Sequence, residues 1–172
     1  GGRRRAGAGQ RGAGVVYGQL RVRAGGIQAV EVNGRVGDPG AQGVLPRLTS
    51  DAVRLLLEAA RGDLSPVGEL DWDPRPCVGI VIASGGYPEV YETGFPIDGL
   101  ATIPPGVLVF HAGTRYLPGQ GLVTAGGRVL TMVALGDTLA EAREAVLGTI
   151  GRVRFNGAFH RTDIAQETSS IA

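Results

Sequence analysis

A chain of 172 residues with 43% apolar side chains and a net charge of +1 can bury the core of one domain or one and a half, and its charge is too balanced for binding nucleic acid by electrostatics alone. No run approaches the ~18 apolar residues needed to cross a bilayer, and the start lacks the apolar centre of a secretory signal, so a globular cytoplasmic protein is expected. All seventeen basic residues are arginine, which excludes a lysine Schiff base and leaves any phosphate-gripping lysine of a nucleotide site to sequence outside this chain.

Residues 1–14 contain only Gly, Ala, Arg and Gln and cannot bury apolar surface, so they predict a disordered leader. Its four arginines have no aromatic neighbour to stack on a base, and nucleic acid is not an expected partner. From Val15 the pattern changes. Val15–Val22 and Ile27–Val32 alternate on either side of Ala24-Gly25-Gly26, a β-hairpin signature. Strict alternation puts Ile27, Ala29 and, if it runs to the end, Glu31 on one face, with Gln28, Val30 and Val32 on the other. Glu31 and Asn33, two residues apart, then project together.

Residues 34–48 read as an irregular loop. A helix follows, with Thr49 or Ser50 as N-cap, a buried stripe of Val53, Leu56, Leu57 and Ala60, and Gly62 as the stop. Residues 63–76, acidic and proline-bearing, read as a connector. Cys77, the only cysteine, rules out an intrachain disulfide and a thiolate zinc cluster; in its apolar run it reads as a structural thiol. Strands are predicted at 77–83, 107–112, 122–125 and 128–135, forming a small antiparallel sheet or half-barrel. A second helix opens on Thr138 and Glu141 at capping-box spacing, with Leu139, Ala142, Val146 and Ile150 on the face that should pack across the sheet. The fold class is α+β. The boundaries are a leader at 1–14, a hairpin, loop and helix at 15–62, a connector at 63–76, a sheet domain at 77–164 and a tail at 165–172.

Chemistry concentrates in Glu31-Val32-Asn33-Gly34-Arg35-Val36-Gly37-Asp38-Pro39. Mg²⁺ is usually held by one or two protein oxygens together with phosphate oxygens and water, so a Glu and an Asn at i and i+2 suit an ion bridging phosphates. An arginine just beyond would stabilise charge on a transferred phosphoryl group. The plainer reading is a half-exposed strand ending in an Asn-Gly turn.

The whole order of this segment resembles the end of the ATP-grasp domain in the phosphoribosylamine-glycine ligase family, also called glycinamide ribonucleotide synthetases. Arg35-Val36-Gly37-Asp38-Pro39-Gly40-Ala41-Gln42 and Val44-Leu45-Pro46 follow the family order, with Gly40 where that pattern has Glu. The resemblance continues through Ala83–Pro88, Phe110–Thr114, Thr124–Leu130, Ala134–Ala142 and Arg154–Ile164, and so runs from about Val15 to Ile164.

It implies that the hairpin is a remnant of an ATP-grasp domain and that the activity is ATP-dependent joining of glycine to 5-phosphoribosylamine, releasing ADP and phosphate in purine synthesis. Carried over by position, Glu31 and Asn33 would hold Mg²⁺ or Mn²⁺ and Arg35 would neutralise the transferred phosphoryl. Asp38 would shape the loop beside the substrates, and Gly126 and Gly127 would let backbone approach closely, with Arg128 meeting a phosphate. The glycines read equally as tight turns between strands. His111, ending the run Val107–Phe110, is a candidate phosphate or carboxylate donor, or a histidine satisfied by a local partner. Family proteins are well over twice as long, with an amino-terminal substrate domain and most of the ATP-grasp fold before the hairpin, so catalysis by this chain alone is not expected. The alternative is a non-catalytic structural or protein-interaction module.

Overall fold

The computed structural model describes residues 13–23 and 25–166. The expectations for the leader at 1–12, for Ala24 in the hairpin turn and for the tail at 167–172 lie outside the described residues. Two compact units are present, residues 1–37 with 48–72 and residues 38–47 with 73–172.

The first unit holds the hairpin, β1 (Tyr17–Arg23) and β2 (Gly26–Asn33), paired antiparallel. Its register corrects the face assignment made from strict alternation. Gln19 pairs with Glu31 and Leu20 with Ala29, leaving Val30 as the extra residue of a β-bulge. Two residues of β2 there oppose one bond of β1, so the parity of everything beyond Val30 reverses. Glu31 and Asn33 share the face of Gln28, with Tyr17, Gln19 and Arg21 opposite. Val32 joins Ile27 and Ala29 across from Gly18, Leu20 and Val22. The Tyr17 ring lies over Gly37, where a Cβ would sit 2.6 Å from Cε2, which explains the glycine there.

The helix of this unit, α2 (Ala52–Arg61), ends as expected. Gly62 adopts φ +80° and donates its N–H to the Ala59 carbonyl at 3.1 Å. Its N-cap is neither Thr49 nor Ser50 but Asp51, whose carboxylate accepts from the N–H groups of Val53 (2.9 Å) and Arg54 (3.1 Å). Ser50 is occupied otherwise, its hydroxyl accepting the Asp71 N–H at 2.8 Å. The predicted buried stripe is exposed: Val53 by 76%, Leu56 and Leu57 by 48% each.

The second unit begins in the stretch expected to be irregular, which instead forms α1 (Gly40–Val44) and a 3-10 turn at Leu45–Arg47. Pro39 at the N-cap starts α1, and packing on two strands of the sheet stabilises this single turn, which no local periodicity could announce. The sheet is β3 (Cys77–Ala83), β7 (Arg128–Leu135) and β4 (Val107–His111), in that order and antiparallel throughout. A ribbon of β5 (Thr114–Leu117) and β6 (Gly121–Thr124) stands beside it as a separate pair. β5 was not predicted because its four residues alternate too briefly to register.

Central strand β7 is buried along six consecutive residues, Val129 to Ala134, as a strand covered on both faces must be. α3 (Leu139–Ile150) lies across the sheet with its predicted capping box intact: Glu141 N–H donates to Thr138 Oγ1 at 3.1 Å, and Glu141 Oε2 accepts from Thr138 N–H at 3.3 Å. Ala142, Val146 and Ile150 are buried as expected. Leu139 is 38% exposed, and Thr149 takes the remaining inward place. With Val78, Ile80 and Ile82 of β3 and Leu130, Met132 and Ala134 of β7 they form one core. Each large side chain fully buried there contributes about 1.5–3 kcal/mol. No helix among the described residues is long and apolar enough to cross a membrane.

Candidate functional site

Each unit carries its own set of the residues singled out in the sequence. In the first, the Asn33 amide donates to Glu31 Oε1 at 2.8 Å. The bulge at Val30 brings the pair onto the polar face, because a continuous alternation would have set Glu31 beside Ile27. Arg35 donates to the Val36 carbonyl at 2.9 Å and makes no ion pair among the described residues. The amide bond uses one carboxylate lone pair and leaves Glu31 Oε2 and Asn33 Oδ1 as two oxygen donors. That is the number a magnesium ion takes from protein when phosphate and water supply the rest. No group of three or more His, Cys, Asp or Glu side chains suited to a metal occurs among the described residues. The donor set fits a hard cation shared with a phosphate ligand and not a self-sufficient metal centre.

In the second unit, Arg128 grips Asp38, donating to its carbonyl at 2.9 Å and to Oδ2 at 3.0 Å. Gln42, on the first turn of α1, donates to Asp38 Oδ1 at 2.9 Å and so holds the carboxylate from the other side. The buried Gln42 Oε1 has no partner among the described residues, a cost tolerated where the amide's N–H end is committed. Sequence reasoning treated Gln42 only as part of a motif. Its spacing of four from Asp38 becomes informative once α1 is known to be helical.

Gly126 and Gly127 do permit close approach, and what approaches is the protein itself. A Cβ on Gly127 would lie 2.2 Å from Cδ2 of Tyr87, and one on Gly113 2.7 Å from the Gly126 Cα. Ser84 fastens the same turn, its hydroxyl donating to the Gly126 carbonyl (2.9 Å) and its N–H to that of Gly127 (2.8 Å). His111 Nδ1 lies 3.0 Å from Thr114 Oγ1, a local partner three residues on. Cys77 is half-buried, and burial pushes its thiol pKa up, away from reactivity.

Beside Arg128 opens a cavity of about 390 Å³, walled by Pro39, Gly79, Ile80, Val81, Ala83, Tyr87, Pro88, Phe159 and Ile164, with Arg128, His160 and Arg161 as its basic lining. Arg161 bonds Asp163, Nε to Oδ1 at 2.8 Å, and this arginine holds the Asp163 carboxyl below its ordinary range. His111 does not line the cavity. Tyr87 and Phe159 entered the sequence reading only as members of longer matching stretches, because a cavity between distant segments leaves no periodic trace.

Residues 77–167 match the family model of the phosphoribosylglycinamide synthetase C domain. The chain is similar to phosphoribosylamine-glycine ligase of Allochromatium vinosum, at 46% identity over 153 residues, and of Streptomyces coelicolor, at 40% over 160. These alignments take in 88% and 91% of this chain but 35% and 38% of the relatives, so it spans little more than a third of their length. The crystal structure of phosphoribosylamine-glycine ligase from Thermotoga maritima matches with a TM-score of 0.70 at 34% identity, over 87% of this chain and 36% of that one. N5-carboxyaminoimidazole ribonucleotide synthetase from the same organism shares the fold alone, at 13% identity and a TM-score of 0.56. With more than half of its residues inside the family model, the chain belongs to the phosphoribosylglycinamide synthetase C-domain family.

Proposed function

We propose that the chain is the carboxy-terminal part of a phosphoribosylamine-glycine ligase, acting in a cytoplasmic ATP-dependent ligation of glycine to 5-phosphoribosylamine in purine synthesis. The observation that carries this reading is the Glu31–Asn33 pair, held together at 2.8 Å on the polar face of a strand and followed by Arg35, in a chain of this family. On this reading Glu31 and Asn33 hold Mg²⁺ or Mn²⁺, which supplies charge neutralisation between ATP phosphates. Arg35 offers its guanidinium to the transferred phosphoryl, and Asp38 fixes Arg128 in an orientation suited to a substrate phosphate. The amino-terminal and remaining ATP-grasp domains are the expected partners.

The reading is tested by titrating Mn²⁺ into the 172-residue chain with ATP and following free Mn²⁺ by electron paramagnetic resonance. Weak binding that Glu31→Gln reduces at least fivefold is expected, and binding indifferent to Glu31→Gln overturns the metal assignment. Calorimetry should find no tight Mg-ATP site, since no lysine is present to grip the phosphates. A micromolar affinity would overturn that part.

A second reading, a non-catalytic interaction module, draws on the exposure of Leu20, Val22, Ile27 and Val32 by 59%, 69%, 67% and 65%. It expects self-association in light scattering, and a clean monomer counts against it.

A further inference from the structure

The Asp38–Arg128 ion pair is half exposed, its two side chains open to solvent by 45% and 39%, and a pair in that much water does not by itself hold one geometry. Gln42 supplies a second hold. Its Nε2 donates to Asp38 Oδ1 at 2.9 Å while Oδ2 accepts from Arg128 at 3.0 Å, so each carboxylate oxygen has its own donor. Arg128 also donates to the Asp38 carbonyl at 2.9 Å, and Asp38 is thereby held at three atoms. Gln42 sits in α1, which packs on β3 and β7, and Arg128 is the first residue of β7. Anchor and arginine are mounted on the same packed elements.

The orientation of the Gln42 amide has a cost that stability does not explain. Turning its NH₂ to the carboxylate leaves Oε1 buried with no partner among the described residues. The flipped amide would set Oε1 against Asp38 Oδ1, two acceptors that repel, so the chemistry of the contact fixes the orientation. A methionine of similar length would fill the same space with no buried acceptor. The one thing glutamine adds at this position is an N–H for Asp38.

We propose that Gln42 is a positioning residue, acting through Asp38 to set the Arg128 guanidinium for a phosphate at the cavity that Arg128 lines, which rests on the reading of Arg128 as a phosphate contact. Two of the guanidinium N–H groups go to Asp38, and the remaining ones of its planar fork are left for the anion. A carboxylate clamped from both sides keeps that fork in one plane and reduces the ordering that phosphate binding must otherwise supply.

The probe is inorganic phosphate, titrated into the full 172-residue chain and followed by the Arg128 Nε–H resonance in nitrogen-15 NMR. A saturable shift is expected. Gln42→Met should weaken phosphate at least threefold and leave the melting temperature unchanged or higher, because it removes a buried unpaired acceptor. On the unmutated chain the Gln42 side-chain amide resonances should move with the same midpoint as Arg128, a readout that needs no variant. An affinity loss of less than threefold in Gln42→Met, or an amide that stays still while Arg128 responds, overturns the role of Gln42 and leaves Arg128 as the phosphate contact. A melting temperature that falls together with the affinity marks a merely structural glutamine and also overturns it. An Arg128 resonance indifferent to phosphate overturns the reading of Arg128 and this role with it.

Discussion

The hairpin with α2 and the sheet with α3 have comparable apolar patterning in sequence and opposite fates in structure. Every buried hydrophobic side chain of the described residues lies in the sheet unit, from Val78 to Val153, while Val22, Ile27, Val32 and Val53 of the other unit are each more than 60% exposed. An amphipathic pattern states which face is apolar. A second surface is needed to turn that face into a core.

The largest expected difference is in core truncation. Leu130→Ala should cost about 2–5 kcal/mol in denaturant unfolding, whereas Leu56→Ala in α2 should stay within about 0.5 kcal/mol. A cost above about 1.5 kcal/mol for Leu56→Ala would show that α2 is covered in solution. The two glycines under tyrosine rings come next. Gly127→Ala collides with a Tyr87 ring backed by Tyr91, whose ring centroid lies 6.1 Å away, and should cost about 1–3 kcal/mol. Gly37→Ala meets the Tyr17 ring alone, at 2.6 Å from Cε2 against 2.2 Å for the Tyr87 contact, and should cost less; thermal melts of the pair rank them.

Capping sharpens the comparison further. Thr138→Ala should lower global stability by about 1 kcal/mol, because α3 is part of the core. Asp51→Ala removes a cap of similar strength but should show mainly as lost helical ellipticity, without a matching shift of the sheet's transition. The smallest effect is on pH. Arg75 bonds the Asp73 carboxylate at 2.7 Å and holds its pKa at about 2, against an ordinary 3.8. A carboxyl depressed in the folded state stabilises above its unfolded pKa, and that contribution is lost as pH falls from about 4 through about 2. A carbon-detected NMR titration should find Asp73 raised toward its ordinary value in Arg75→Ala but still below it, because the backbone N–H at position 75 keeps its 2.9 Å bond to the carboxylate. Asp63 in the other unit, lowered by its bond from Ser65, should be unmoved.

What was legible in the sequence was local. The capping box at Thr138 and Glu141, the Gly62 stop and the strands at 77–83 and 128–135 are each written within a few residues, and each stands in the structure. Misreadings came from distant partners. Ser50 looks like a cap until Asp71 claims its hydroxyl, and α1 looks like loop until two strands support it. The stripe of α2 looks buried only if a partner is assumed. Of the candidate site, the Glu31–Asn33 proximity was legible from spacing, while the Asp38–Arg128 bond, ninety positions apart, was not.

The extra residue at Val30 works as a buffer as much as a kink. Because Gln19 faces Glu31 and Leu20 faces Ala29, the side on which Glu31 is displayed is decided by its partner on β1 and not by the number of residues between the turn and the carboxylate. Deleting Val30 would make Ala29 and Glu31 consecutive, restore plain alternation and leave Glu31 and Asn33 on the face of Gln28. A comparison of homologous hairpins that counts residues from the turn would misplace the carboxylate, and one that follows its cross-strand partner would not.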